Sequence, residues 1–290
     1  MATDEVYCNI SVLEVFYKQL DPDEDYRSTV MAFTVICVVA FVLNFGVVVM
    51  FTTEKSLRKR YHIFVGSLAI SECVFVSTTL FLVTFPEIDS SITEFVYAIC
   101  SASLQVSIET VLAIALERLL VLVIFPFKKD LNSPKNMFIT CAVMWSVTYI
   151  VVGGFTMSNM LSEYELFAFA LNVCVQLLVA LTYYIIYNSL QRREKQLESV
   201  PSEFRISKRL LKTFSIVVFV FFMSWMPVYT VAIIDKLLDF KCDDIIYLYI
   251  FPICFNINMV HSAVTPILYV WRMKTFRDAL VKRLTCRHKN

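Results

Sequence analysis

The chain has 290 residues, of which 58% are apolar and 18% are charged, and its formal net charge is +1. A soluble domain carries about a quarter charged residues, so this composition argues against one, and no nucleic-acid partner is expected. The nine cysteines form no CxxC pair and the three histidines are far apart, which excludes a metal site and a multi-pass metallohydrolase on sequence grounds; no cofactor is expected.

Residues 1–27 are polar and acidic, and they lack the basic region and short apolar core of a cleaved signal peptide. We expect this segment to be an extracellular N-terminus and the first apolar run to act as the insertion signal. The segment contains the sequon Asn9-Ile10-Ser11, which makes Asn9 a candidate glycosylation site.

Seven apolar runs follow, and each is long enough to cross a bilayer, for which roughly 20 residues are needed. They lie at about 28–52, 62–85, 95–126, 137–157, 166–190, 207–234 and 245–271. The pair Gly153-Gly154 predicts the end of the fourth run. The sequence therefore predicts an all-α membrane protein with a seven-transmembrane helix bundle over residues 28–271.

Residues 272–290 form a basic C-terminal segment. Phe276, Leu280 and Leu284 recur at helical spacing between lysines and arginines, which predicts an amphipathic helix on the inner membrane surface, followed by a cytoplasmic tail. Cys286 comes directly after that helix and is a candidate palmitoylation site; an unmodified thiol is an equally open alternative.

The loops predict the orientation of the bundle. Arg118 and the segments 53–61, 127–136, 191–212 and 272–290 hold 22 of the 26 lysines and arginines. Because basic residues are retained on the cytoplasmic side, we expect the N-terminus outside and the C-terminus inside the cell.

Few polar residues fall inside the predicted spans, where such groups are costly and tend to be functional. They are Asn44, Glu72, Ser107, Glu109, Asn256, Asn258, His261, Ser262 and Thr265. Pro227 and Pro266 interrupt the sixth and seventh runs, where each removes a backbone hydrogen bond and permits a kink.

Six motifs occur in chain order, each on the expected helix and side of the membrane. They are Asn44, Ser67-Leu68-Ala69-Ile70-Ser71-Glu72, Glu117-Arg118-Leu119, Trp145, Phe221 with Ser224-Trp225 and Pro227, and Thr265-Pro266-Ile267-Leu268-Tyr269, with Phe276 after the last. Over essentially its whole length the chain resembles a rhodopsin-like (class A) G-protein-coupled receptor, whose helix-one Asn, SLAxxD, DRY, helix-four Trp, FxxCWxP and NPxxY motifs these segments match. The resemblance implies a plasma-membrane receptor that passes an extracellular signal to a heterotrimeric G protein and is not an enzyme.

The resemblance also implies roles for individual residues. Arg118 is expected to be held by Glu117 and released to the G protein on activation. Either Tyr183 or Tyr184, together with Tyr269 in the segment that contains Thr265 and Pro266, would complete that rearrangement. Trp225 above Pro227, with Phe221 one turn below, would form the switch beneath the ligand; plain packing is the alternative for these aromatic residues.

Asn44, Glu72, Ser107, His261 and Ser262 match the positions of the family's central polar network. Here Glu replaces the usual Asp, and His replaces the usual Asn, which argues against a standard sodium site. We expect Glu72 and His261 to form a hydrogen-bonded or ionic pair that titrates near neutral pH. A polar contact that is merely satisfied remains the alternative.

The outer face departs from the family pattern. No cysteine lies near the outer end of the third run or after the fourth, so the family's usual extracellular disulfide is missing. This absence and the short second outer loop favour the melanocortin, cannabinoid and lysolipid branch. Cys8 and Cys242 are the only cysteines expected outside, and we predict that they pair.

The ligand class is approached by exclusion. Met259 stands where opsins carry the retinal-binding Lys, and Cys100 stands where amine receptors need an Asp. The expected pocket is mainly apolar and is lined by Cys100, Leu104, Val228, Tyr229, Phe255, Asn258 and Met259. It favours a lipid or small neutral ligand, while the acidic outer face leaves a basic peptide open.

The resemblance also bears on the resting state. Ser207 stands where the family often keeps an acid that pairs with the arginine of the DRY motif, so we predict appreciable signalling without ligand. A transporter or channel is the alternative function. It is opposed by the odd number of helices and the lack of internal repeats.

Overall fold

The computed structural model describes residues 24–54, 57, 60–85, 89–125, 133–158, 161–196, 212, 215–216, 218–228, 230–231 and 250–286. That part of the chain contains helices and no strand. The helices are α1 (Glu24–Thr53), α2 (Arg60–Thr84), α3 (Ser90–Leu119), α4 (Pro134–Met157), α5 (Leu161–Gln196), α6 (Val218–Val228), α7 (Phe251–Arg272) and α8 (Lys274–Cys286).

The helices coincide with the apolar runs, which confirms the predicted all-α bundle. In α1, α2, α4, α5 and α7 the apolar stretch is long enough to cross a membrane. The helix ends differ from the prediction. The described part of α6 lies inside the predicted 207–234, and α5 extends beyond 166–190 at both ends, because helical hydrogen bonds continue into polar sequence.

The fourth helix ends at Met157, the last residue of the predicted run 137–157 and within one turn of Gly153-Gly154. The helix runs through both glycines to Met157, and Ser158 caps it with an amide that bonds to the Gly154 carbonyl at 3.1 Å. Within a bilayer every backbone group needs an internal partner. Glycine costs too little there to break a helix whose hydrogen bonds have no replacement.

Helix α3 is the centre of the bundle and packs against α2, α4 and α5. Its N-terminus is capped by Asp89, whose side chain accepts a hydrogen bond from the Ser91 amide at 3.1 Å. Beyond Leu119 the backbone widens into a π-helical turn, Leu120–Ile124. The centre of α3 is buried, so its few polar side chains face neighbouring helices.

Helix α8 begins after a break at Met273, whose backbone is extended (φ −97°, ψ 109°). Phe276 is fully buried and meets the ring of His62 edge-on, with 5.1 Å between ring centres. Oγ1 of Thr275 lies 3.1 Å from Nε2 of His62. The helix predicted in the C-terminal segment is therefore present at Lys274–Cys286 and docks on the N-terminal end of α2.

Candidate functional site

A buried ion pair lies at the C-terminal end of α3. Nε of Arg118 is 3.1 Å from Oε2 of Glu117, and both side chains are buried. Removing one partner from a buried pair leaves an uncompensated charge, which is strongly destabilising. The contact expected between these neighbours is thus present, at the side where the loops are basic.

Two tyrosines from other helices are buried within the bundle. Tyr183 of α5 and Tyr269 of α7 belong to the same apolar cluster. Tyr184, the alternative to Tyr183, is 65% exposed on the lipid side of α5. The structure therefore orients Tyr183, and not Tyr184, toward the bundle.

A side chain of α1 replaces the backbone hydrogen bond that the proline of α7 removes. Pro266 has no amide hydrogen, so the carbonyl of Ser262 four residues earlier loses its helical partner. Nδ2 of Asn44 donates to that carbonyl at 2.8 Å and also to the Ala40 carbonyl at 3.0 Å. Oγ1 of Thr265 donates to the His261 carbonyl at 2.8 Å. The hydrogen bond that α7 lacks at Pro266 is thus replaced by a side chain of α1.

The central polar network joins α2, α3 and α7. Glu72 is buried and accepts a hydrogen bond from the Ser262 hydroxyl. Nε2 of His261 lies 3.6 Å from the other carboxyl oxygen of Glu72, which is longer than a hydrogen bond but within contact for an ion pair. The hydroxyls of Ser71 and Ser107 are 2.8 Å apart beside them.

The second ring nitrogen of His261 contacts the backbone of its own helix. Nδ1 lies at hydrogen-bond distance from the Asn258 carbonyl. Because a carbonyl only accepts, Nδ1 is the donor of this contact, and Nε2 is the nitrogen that faces Glu72.

Aromatic rings connect this network to α6. The Phe221 ring meets the His261 ring edge-on, with centres 5.3 Å apart and an angle of 88°. Trp225 lies 6.3 Å from His261 and 6.1 Å from Phe221. Phe221 and Trp225 are both buried, and Pro227 follows within the same helix. A shift of α6 would therefore move two aromatic rings that contact His261.

The expected pocket residues lie on the other side of the Trp225 and His261 rings from the Glu117–Arg118 pair. Cys100, Phe255 and Met259 share an apolar cluster with residues of α1 and α2, and Leu104 packs against it. Val228 is also buried. Asn258 is fully buried, and its side-chain amide makes no hydrogen bond to the described residues. A buried amide of this kind calls for a partner.

Several predicted residues cannot be placed. Cys8, Asn9, Ser207, Tyr229 and Cys242 lie outside the described residues. The side chain of Cys286 is likewise outside them, although its backbone ends α8. Within the described residues no cluster of three or more His, Cys, Asp or Glu side chains could hold a metal ion.

Sequence reasoning missed two polar contacts of α4. Glu109 accepts hydrogen bonds from Thr148 at 2.8 Å and from Gln105 at 3.3 Å. Trp145 donates from Nε1 to the Ser67 hydroxyl at 3.0 Å. An acid and a tryptophan inside apolar runs were the available signals, but neither identified its partner.

Comparisons with known proteins agree with this geometry. Residues 43–163 and 154–269 match the family model described as 7 transmembrane receptor (rhodopsin family). The chain is 25% identical over 275 residues to sphingosine 1-phosphate receptor 3 of Takifugu rubripes, covering 87% of this chain and 69% of that protein. It is 32% identical to octopamine receptor 1 of Lymnaea stagnalis over 29% of this chain and 12% of that protein. It is 31% identical to octopamine receptor Oamb of Drosophila melanogaster over 32% of this chain and 14% of that protein. The chain thus spans only a small part of the two octopamine receptors.

Proposed function

This chain belongs to the rhodopsin family of seven-transmembrane receptors, and we propose that it couples an extracellular ligand to a heterotrimeric G protein at the plasma membrane, with its N-terminus outside. The single observation that carries the proposal is the buried Glu117–Arg118 pair at the inner end of α3. A permanent cation kept out of water is costly, and Glu117 offsets that cost here. This fits an Arg118 that exchanges Glu117 for the G protein on activation.

Activation is a shift between two arrangements of the bundle. A ligand above Trp225 moves α6, and the ring contacts of Phe221 and Trp225 with His261 pass that movement to α7. The inner ends of α5 and α6 then open and expose Arg118. Tyr183 and Tyr269 are buried at the same level, and they rearrange with it.

The ligand class follows from the outer half of the bundle. The cluster that contains Cys100, Phe255 and Met259 is apolar, and Cys100 occupies the position where a ligand amine would need an acid. The buried amide of Asn258 supplies N–H donors and a carbonyl acceptor. A lipid or other small neutral molecule with a single polar group fits these properties.

The similarity to a sphingosine 1-phosphate receptor supports a lipid, but the outer side of this chain is acidic and holds only four basic residues, Lys18, Arg27, Lys236 and Lys241. An anionic phosphate is therefore disfavoured relative to a neutral headgroup. The short similarity to octopamine receptors makes an amine the competing class, and a basic peptide is the third.

The first experiment measures guanine-nucleotide exchange on co-expressed G-protein subunits and compares it with ion flux. We expect exchange without flux, and we expect Arg118→Ala to abolish exchange when the rate is normalised to the amount of receptor at the cell surface. The control is Glu94→Gln, an exposed change at the opposite end of α3, which should leave exchange unaltered. Ion flux without exchange would instead establish a channel or transporter.

The second experiment screens lipids, amines and basic peptides in the same assay. A neutral lipid is expected to raise exchange, and Asn258→Ala is expected to lower its potency by about tenfold, because a hydrogen bond is lost in a dry site. The exposed Asn136→Ala at the start of α4 is the matched control. Activity confined to amines or peptides would overturn the ligand class and leave the receptor function intact.

A further inference from the structure

The turn that follows Arg118 has an unusual backbone. Residues Leu120–Ile124 form a π-helical turn, which closes with a hydrogen bond of 2.8 Å from the Phe125 amide to the Leu120 carbonyl. π-Turns are rare and occur frequently at functional sites. The last carbonyls of such a helix point away from it without helical partners and carry the negative end of the helix dipole.

An arginine of α5 binds two of those carbonyls. Nη1 of Arg193 donates to the Leu122 carbonyl at 2.8 Å, and Nη2 donates to the Val123 carbonyl at 3.1 Å. The planar guanidinium thus spans neighbouring acceptors with two bonds, which fixes direction as well as distance. Lysine, with a single ammonium group, cannot reproduce this geometry.

We propose that Arg193 is a positioning residue for G-protein coupling, which holds the inner end of α5 against the turn after Arg118 in the resting receptor. Leu122 lies one helical turn beyond Arg118, so the contact joins α5 to the backbone beside the buried ion pair. The inner end of α5 cannot move away from α3 until both hydrogen bonds break. The effect of Arg193 on G-protein coupling rests on the proposed function. Its contact with the two carbonyls does not.

The first test measures the contact without any G protein. Purified full-length receptor, Arg193→Ala, Arg193→Lys and the neighbouring control Arg192→Ala, whose side chain is exposed, are compared by amide hydrogen exchange. We expect the Phe125 amide to exchange about fivefold faster in Arg193→Ala, because the loss of about 1 kcal/mol corresponds to that factor. Arg193→Lys should fall between Arg193→Ala and the parent protein. Unchanged protection in Arg193→Ala, or an equal change in Arg192→Ala, would overturn the contact.

The second test measures ligand-free nucleotide exchange on reconstituted G protein. Arg193→Ala should raise the rate about fivefold at equal surface expression, with Arg193→Lys intermediate and Arg192→Ala unchanged. A residue that served folding alone would lower expression and the rate together. If amide exchange responds while nucleotide exchange in an active receptor does not, the positioning role is wrong. If no variant, including the parent, activates a G protein, the contact stands and the proposed function fails.

Discussion

Nε2 of His261 on α7 lies 3.6 Å from Oε1 of Glu72 on α2, and each side chain is 2% exposed. Nδ1 of His261 lies at hydrogen-bond distance from a backbone carbonyl, so Nε2 is the nitrogen that faces the carboxyl group. The same imidazole ring meets Phe221 of α6. Three helices are therefore linked through one buried side chain at the centre of the bundle.

Glu72→Gln and His261→Asn should each destabilise the receptor, and the double variant should lose less than the sum of the two. Each single change leaves the other buried side chain without its polar contact. We therefore expect a coupling of about 1–3 kcal/mol between the two sites. Thermal unfolding of the purified receptor and its three variants measures the cycle. Strict additivity would mean that the two side chains do not interact.

Phe221→Ala should reduce ligand-stimulated exchange by about three- to tenfold, because an edge-to-face ring contact contributes about 0.5–1.5 kcal/mol. The matched control is Phe219→Ala on the same helix, whose side chain is 61% exposed toward lipid. The measurement is maximal exchange at saturating agonist, normalised to surface expression. Equal losses in both variants would indicate helix packing and not transmission through His261.

Much of the fold could be predicted from the sequence, because a bilayer crossing imposes one strong constraint on length and polarity. Hydropathy predicted the seven spans, and the orientation that loop charge indicates stays a prediction. The contact between Glu117 and Arg118 was implied by the family resemblance, because neighbouring residues on a helix do not face each other. Glu72 and His261 were expected to meet because both match one network of the family.

The remaining contacts could not be predicted. In each of them one partner is a backbone group or a residue that no sequence pattern identifies. Asn44 binds the Ser262 carbonyl that Pro266 leaves free, and Arg193 binds two carbonyls of a π-turn. Pro266 marks the Ser262 carbonyl as free, but nothing in the sequence shows which side chain reaches it. No residue pattern marks the two carbonyls that Arg193 binds.

Phe276→Ala should destabilise the receptor far more than Lys282→Ala, although both lie on α8. Phe276 is fully buried against His62 and Tyr269, and truncating a buried Phe costs about 3–5 kcal/mol. Nζ of Lys282 lies 3.2 Å from Glu54, but its side chain is 64% exposed, so its loss should cost under about 0.5 kcal/mol. Thermal midpoints of the two variants provide the comparison, and equal shifts would contradict it.

Trp145→Phe and Ser67→Ala should each lower stability by about 1 kcal/mol through the same lost hydrogen bond between α4 and α2. The two effects should not add, because the second change removes a partner that is already missing. Val147→Ala, at an exposed position of the same helix, is the control. Additive losses would show that packing, and not the hydrogen bond, makes Trp145 matter.

Glu109→Gln should leave stability unchanged or raise it, within about 1 kcal/mol. The glutamine retains an acceptor for the Thr148 hydroxyl, which now bonds to a carboxyl oxygen at 2.8 Å, and it removes an ionisable group from the bilayer, where charge is costly. Glu109→Leu should instead lower the thermal midpoint, because buried Thr148 and Gln105 both lose their partner. Agonist-stimulated exchange should be retained in Glu109→Gln, since its hydrogen-bond partners lie on α3 and α4, away from α6 and α7. A loss of exchange in stable Glu109→Gln would make the ionised carboxylate a functional group, and the position would then belong to the signalling network.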